Sequence, residues 1–283
     1  MTKDYALLLV GVGAAASSVV MIKASALSPI YMAALRLLMS AIILLPLFLI
    51  HKKRERVGLG VLLKESWLPG LALGVHFILW IQGARVIPAA NAALVVNMMP
   101  VFMPLTVFIM FRETVTRREI VATLLAMTGL VIVSLSGLAV SMDDFRGSVM
   151  CFAAMGFLTV YLAMGRTKRT AKSLWLYLVP LYFSGGVFCL LVELALNGVP
   201  AAAPPVEYGH AFLLALLPTI IGHGMFNRSM RVMRPQVVSL TNLNQVVCSG
   251  FYGYVFFSEI PAASFWPAAA LMMAAAVLVV TEK

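Results

Sequence analysis

The chain has 283 residues, 62% of them hydrophobic and 11% charged, with a formal net charge of +10. Its mean hydropathy of +0.98 lies outside the range of soluble globular domains, and the short alternating segments of a membrane β-barrel are absent. No basic patch lies on a segment that would fold as a soluble domain, so nucleic acid is not an expected partner; the positive charge reads as an orientation signal in a lipid bilayer, supplemented by attraction to anionic lipid heads.

Apolar runs close to the roughly 20 residues that cross a bilayer recur along the chain. Ten spans are predicted, at 5–22, 30–50, 67–84, 91–111, 119–138, 147–165, 174–196, 210–227, 235–257 and 263–281. The first begins like a secretory signal, "MTKDYALLLVGVGAAASSVVMIKASA", with an Ala-x-Ala site at Ala24–Ala26. The length of its apolar stretch and Lys23 beside that site favour retention as a helix. Span 2 carries Arg36 about one and a half turns inside its outer end. There it either snorkels to the interface, pairs structurally, or holds a substrate carboxylate. Span 3 presents His76 and Trp80 one turn apart, with Gly70 and Gly74 as a close-packing face.

Span 4 contains Asn97 and is interrupted by Pro100 and Pro104. Span 6 contributes Tyr161. Span 7 carries Pro180 and, near its outer end, Glu193, a candidate partner for Arg36, a seat for an ammonium group, or a solvated carboxylate. Span 8 contains Pro218 and sets Thr219, His223 and Asn227 on one stripe at i, i+4 and i+8. In span 9 the segment "SLTNLNQVVCSG" places Thr241, Asn244, Gln245, Cys248 and Tyr252 on one helical face. Lipid cannot satisfy amide side chains, so this face turns toward other helices or toward a solute cavity. Cys151, Cys189 and Cys248 are far apart and form no paired metal spacing; they read as packing residues.

Lysine and arginine set the orientation. With ten spans both termini share a side. With that side cytoplasmic, all of the 21 Lys and Arg except Lys23, Arg36, Arg85 and Arg146 fall on it. The expected location is the inner (cytoplasmic) membrane.

The chain also repeats itself. Residues 85–113, "RVIPAANAALVVNMMPVFMPLTVFIMFRE", align without a gap on 231–259, "RVMRPQVVSLTNLNQVVCSGFYGYVFFSE", with identities that include Arg85/Arg231 at one end and Glu113/Glu259 at the other. Two halves, 1–138 and 139–283, of five spans each must be inverted, because five is odd. Inverted repeats are how many secondary transporters obtain two alternative states around a site near the midplane.

These segments, with "IKASALSPIYMAALRLLMSA", resemble the EamA-type transporters of the drug/metabolite transporter superfamily over nearly the whole chain. Lys23, Pro29, Arg36, Pro100, Glu113 and Glu259 match that pattern. The stretch "VGAAASSVVMIK" departs from it, lacking the Trp-Gly pair usual in the first helix. The resemblance implies alternating-access movement of small metabolites, most often export.

The expected protein is therefore an all-α polytopic secondary transporter for a small polar metabolite, an amino acid or a zwitterionic relative. Uptake of a quaternary amine or similar small cation is the alternative. An integral-membrane enzyme is disfavoured, since no HExxH, GxSxG, CxxC or P-loop pattern occurs. The expected substrate-binding residues are His76, Trp80, Asn97, Tyr161, His223, Asn227, Thr241, Asn244, Gln245 and Tyr252. Arg36, Glu193, His76 and His223 are the candidates for charge or proton coupling. No cofactor or metal is expected.

Overall fold

The computed structural model describes residues 2–135, 142–167, 170–258, 260 and 263–280. Glu259, Lys168, Arg169, Lys283 and the junction expected at 138–139 lie outside the described residues. All regular structure among the described residues is helical, as a backbone surrounded by lipid requires.

The first half contains α1 (Thr2–Ala16), α2 (Ser18–Ala24), α3 (Pro29–Glu55), α4 (Leu59–Val86), α5 (Ala89–Val96), α6 (Met99–Phe111) and α7 (Arg117–Leu135). The second contains α8 (Met142–Met164), α9 (Trp175–Asn197), α10 (Pro205–Leu214), a π-helical segment (Ala215–His223), α11 (Gly224–Val232), α12 (Pro235–Asn242), α13 (Asn244–Phe257) and α14 (Phe265–Val280). Helical stretches fall in all ten predicted intervals. Six are long and apolar enough to cross a bilayer: Lys3–Ala24, Pro29–Glu55, Leu59–Val86, Phe145–Met164, Trp175–Asn197 and Pro205–Val232.

The expected fourth and ninth spans are not single helices. Span 4 stops at Asn97 and restarts at Met99, with Pro100 in the first turn of α6. Proline lacks an N–H and suits a helix start, so the interruption follows from sequence. Span 9 breaks more gently at Leu243, which keeps helical dihedrals. No proline is present there; instead the Asn244 side chain donates to the Thr241 carbonyl at 2.8 Å, competing with the backbone ladder.

At the offset of 146 that aligns the two copies, α5 and α12 coincide residue for residue. Their preceding helices end on extended residues, Ile87 and Met233. The helices after the breaks end on left-handed residues at equivalent positions, Arg112 (φ 58) and Ser258 (φ 56). The packing repeats too. Helix α4 lies on α8 as the π segment lies on α1, and α5 and α6 lie on α8 as α12 and α13 lie on α1. Across the halves α3 pairs with α9, α7 with α14, α5 with α13 and α6 with α12.

Close backbone approach locks α4 to α9. A Cβ at Gly70 would lie 2.1 Å from the Ser184 hydroxyl and 2.5 Å from the Leu181 carbonyl oxygen. The predicted Gly70/Gly74 face is thus used, against α9. Elsewhere, prolines free carbonyls that side chains recover. Pro104 cannot donate to the Pro100 carbonyl, which accepts from Gln236 Nε2 at 3.0 Å. Pro218 cannot donate to Leu214, whose carbonyl accepts from the Thr219 hydroxyl at 2.7 Å.

The loops joining the first two spans of each half are clamped in parallel fashion. Arg85 donates to the carbonyls of Ile22, Ser25 and Leu27, while Glu207 accepts from the Ser25 hydroxyl and the Ala26 N–H. In the other half Arg231 donates to the Lys172 carbonyl, and Glu65 accepts from the Thr170 N–H and hydroxyl. Each carboxylate comes from the half opposite to the loop it holds. The matched arginines of the repeat therefore do matched work.

Candidate functional site

A small cavity of about 30 Å³, room for roughly two waters, lies where both halves meet. Its polar lining is Ser18, Arg36, His76, Asn97, His223 and Gln245, with Phe77 and Trp80 among its apolar walls. These residues come from α2, α3, α4, the α5/α6 break, the π segment and α13.

Arg36 is its strongest electrostatic feature. Two turns into α3, it is 1% exposed, so it does not snorkel to an interface. Its Nε donates to Thr219 Oγ1 at 2.6 Å. The Thr219 hydroxyl has already given its own proton to Leu214, so only its lone pair faces the guanidinium. The guanidinium carbon stands 3.6 Å from the centroid of the Phe77 ring, a desolvated cation–π contact. Nη1 has no hydrogen-bond partner, and no carboxylate pairs with Arg36 among the described residues. Buried charges are ordinarily paired because desolvation is costly; this one is not.

The two histidines named from sequence, His76 and His223, meet with ring centroids 6.0 Å apart. His76 Nδ1 lies 2.8 Å from the Ala154 carbonyl oxygen. A carbonyl only accepts, so Nδ1 carries the proton and Nε2 of the neutral ring keeps a lone pair. His223 Nδ1 has no partner. Phe77 and Phe226 meet the His223 ring edge-on, at 5.0 and 5.8 Å between centroids. Asn227 supports it from below, donating to the His223 carbonyl at 2.8 Å and to the Tyr161 hydroxyl. Tyr161 and Asn227 thus stand behind the wall.

The polar face of span 9 divides its tasks. Gln245 lines the cavity and donates to Asn242 Oδ1, while Asn242 Nδ2 donates to Asn97 Oδ1 at 2.8 Å. Asn97 in turn donates to the Ala93 carbonyl at 2.7 Å. This amide chain bridges the two helix breaks. Thr241 and Asn244 turn back onto their own helix, donating to Val237 and Thr241 carbonyls. Tyr252 donates to the Gly13 carbonyl at 3.3 Å, outside the cavity. Glu193 is also elsewhere: it accepts from Ser28 at 2.8 Å and Asn197 at 2.7 Å, a loop fastening rather than a partner of Arg36.

Of the residues expected from sequence, the cavity gathers Arg36, His76, Trp80, Asn97, His223 and Gln245. Ser18, Phe77 and Asn242 were not expected in these roles. The Ser17–Ser18 pair in an otherwise apolar first span was a usable signal for Ser18; an aromatic in an apolar run carries none. No group of three or more His, Cys, Asp or Glu side chains fit to hold a metal occurs among the described residues.

A buried polar cavity beside interrupted helices, inside an all-helical multi-pass membrane protein, is the architecture of solute transporters. The chain belongs to the EamA-like transporter family, whose model matches it twice, over residues 1–135 and 146–281. It is a membrane transporter of small solutes. A protein of known crystal structure shares the fold with a TM-score of 0.77, covering 99% of this chain and 96% of its own, at 14% identity. No curated protein matches the chain.

Proposed function

We infer that the chain is a secondary transporter that exports a small polar metabolite, of the size of an amino acid, across the cytoplasmic membrane by alternating access. Ten spans in two inverted halves, 1–138 and 139–283, place both termini on the cytoplasmic side. The observation that carries this reading is the cavity, built by both halves at the point where spans 4 and 9 are interrupted. Parallel clamps and parallel packing support two exchangeable arrangements around it, since whatever the first half does at one face the second is built to do at the other.

The solute sits among Arg36, His76, Trp80, Asn97, His223 and Gln245. An unpaired guanidinium repels a quaternary amine, which counts against the small-cation alternative. His223, whose Nδ1 has no partner, is the coupling group if solute movement is linked to protons.

Reconstitution in proteoliposomes tests the reading. Saturable flux with trans-stimulation, and recovery of the solute chemically unchanged, are the expected results. Flux that rises linearly with concentration and lacks trans-stimulation would mark a channel. Thiol labelling sharpens the topology: cysteines placed in 51–64 should react from the cytoplasmic face, and those near Ala202 from outside.

A further inference from the structure

The cavity described above holds one full positive charge and nothing to balance it. Among the described residues no Asp or Glu lines it. Glu193 and Glu207 hold loops, Glu113 pairs with Arg166, and Glu119 pairs with Arg234. Arg36 cannot retreat to solvent, because it is 1% exposed and fixed on one side by Thr219 and below by Phe77. What remains is one edge of the guanidinium, Nη1, without a partner, and in the same cavity the partnerless Nδ1 of His223. Both line the same small space.

We propose that this edge is a seat for a carboxylate, and that a carboxylate is the group every transported solute must carry. The proposal rests on the transporter reading and deepens it. A guanidinium N–H makes a charge-assisted hydrogen bond to a carboxylate oxygen, stronger than a neutral one. One oxygen takes Nη1; a neutral His223 with its proton on Nδ1 donates to the other. Thr219 and Phe77 fix the plane of the guanidinium before the solute arrives, so little ordering is left to the binding step.

Charge balance narrows the class further. One guanidinium neutralises one carboxylate, whereas a phosphate ester would bring a second negative charge and three oxygens into a space of about 30 Å³. No acidic side chain waits for an ammonium group, so an amino group on the solute is tolerated but not required. By charge, amino acids and plain short monocarboxylates both qualify, the space of about 30 Å³ itself taking the carboxylate. Amines, amino alcohols and carboxyl-blocked derivatives do not.

The test uses the full-length protein in lipid nanodiscs. Melting shifts are measured against the proteinogenic amino acids, C2–C6 monocarboxylates, the methyl esters and decarboxylated amines of the same compounds, and inorganic phosphate. Stabilisation confined to free carboxylates is expected. Arg36→Gln should bind the best of them at least about thirtyfold more weakly, the loss expected when one partner of a desolvated charge pair is removed. Arg36→Gln should also melt no lower than the parent without ligand, because it removes an uncompensated buried charge; a merely structural Arg36 would instead lower the melting temperature.

Esters or amines that stabilise as well as their parent acids would overturn the proposal. So would phosphate as the sole binder, silence from every carboxylate, or unchanged carboxylate affinity in Arg36→Gln. The two readings fail differently. If some other solute is carried, and its flux is lost in Gln245→Leu but kept in Arg36→Gln, the cavity stands and the carboxylate seat falls. If flux is indifferent to both changes, the cavity itself is wrong.

Discussion

Spans 4 and 9 are the same helix made twice, and their differences are instructive. Both are interrupted at the same register and cross beside the cavity. In span 4 the interruption is covalent, set by Pro100, and the positions equivalent to the polar face of span 9 are filled by Val95, Met98, Met99 and Phe102. In span 9 no proline stands at the break; Asn242 there reaches across to Asn97, while Asn244 bonds only the Thr241 carbonyl of its own segment. Gln236 of span 9 recovers the Pro100 carbonyl that proline leaves open in span 4. One copy supplies the kink; the other supplies the polar groups that make it tolerable. A duplicated element can thus share one backbone while its two copies bring different groups to the cavity, Asn97 from span 4 and Gln245 from span 9.

The largest effect expected from disturbing the repeat is at its matched arginines. Arg85 donates to three backbone carbonyls and Arg231 to one. Charge-assisted bonds contribute about 1.5–3 kcal/mol each in water-exposed references, discounted here because Arg85 is only half-buried. Arg85→Ala should therefore destabilise by about 2–4 kcal/mol and Arg231→Ala by about 1 kcal/mol, measured by unfolding in mild detergent. Equal losses would mean the two clamps do not differ as the structure has them.

Next in size is Gln236→Leu, which leaves the Pro100 carbonyl unsatisfied at a cost of about 1–3 kcal/mol. Pro104→Ala restores an N–H at the position that serves that carbonyl, so the double variant should recover most of the loss. A strictly additive double variant would show that Gln236 acts through Thr123, which it also contacts, and not through the proline gap.

Asn242→Leu removes the bond to Asn97 between the two breaks and should cost about 0.6–2 kcal/mol, the range for membrane interhelical hydrogen bonds. Thr241→Val should be the mildest change, within about 0.5 kcal/mol, since the Thr241 hydroxyl only bonds the carbonyl one turn back on its own helix. A larger loss at Thr241 than at Asn242 would reverse the assignment of bridging and bystander residues.

Much of this was legible in the sequence, for physical reasons that also mark where legibility ended. Hydropathy records which segments avoid water, so the helical intervals were readable. The offset of 146 was readable because the two copies keep their end charges in register, Arg85 with Arg231 and Glu113 with Glu259. Depth along a helix is likewise countable: His76 and His223 lie nine and eight residues before the matched Arg85 and Arg231, which sets both at a similar depth. Direction of a side chain in detail is not. Arg36, close to one end of its span, had an interface within reach by counting alone, but α9 and the π segment pack over α3 and enclose it. Thr241 and Asn244 lie on the same face as Gln245, yet short polar side chains bond the preceding turn of their own helix, while the longer glutamine reaches the cavity. Glu193 was placed by its proximity to a helix end, and Ser28, the residue that claims it, is 165 positions away in sequence.

The central claim is that transport runs through the cavity lined by Gln245 and not through the polar face of span 9 as a whole. Counterflow of a stabilising carboxylate in proteoliposomes, compared between Gln245→Leu and its neighbour Asn244→Leu, tests this most directly. The two substitutions are chemically alike, adjacent in sequence and both at half-buried positions. The account predicts that Gln245→Leu loses flux by about tenfold or more, a cavity contact of about 1.4 kcal/mol, while Asn244→Leu keeps flux near the parent value. Loss of flux in Asn244→Leu with undiminished flux in Gln245→Leu would contradict it.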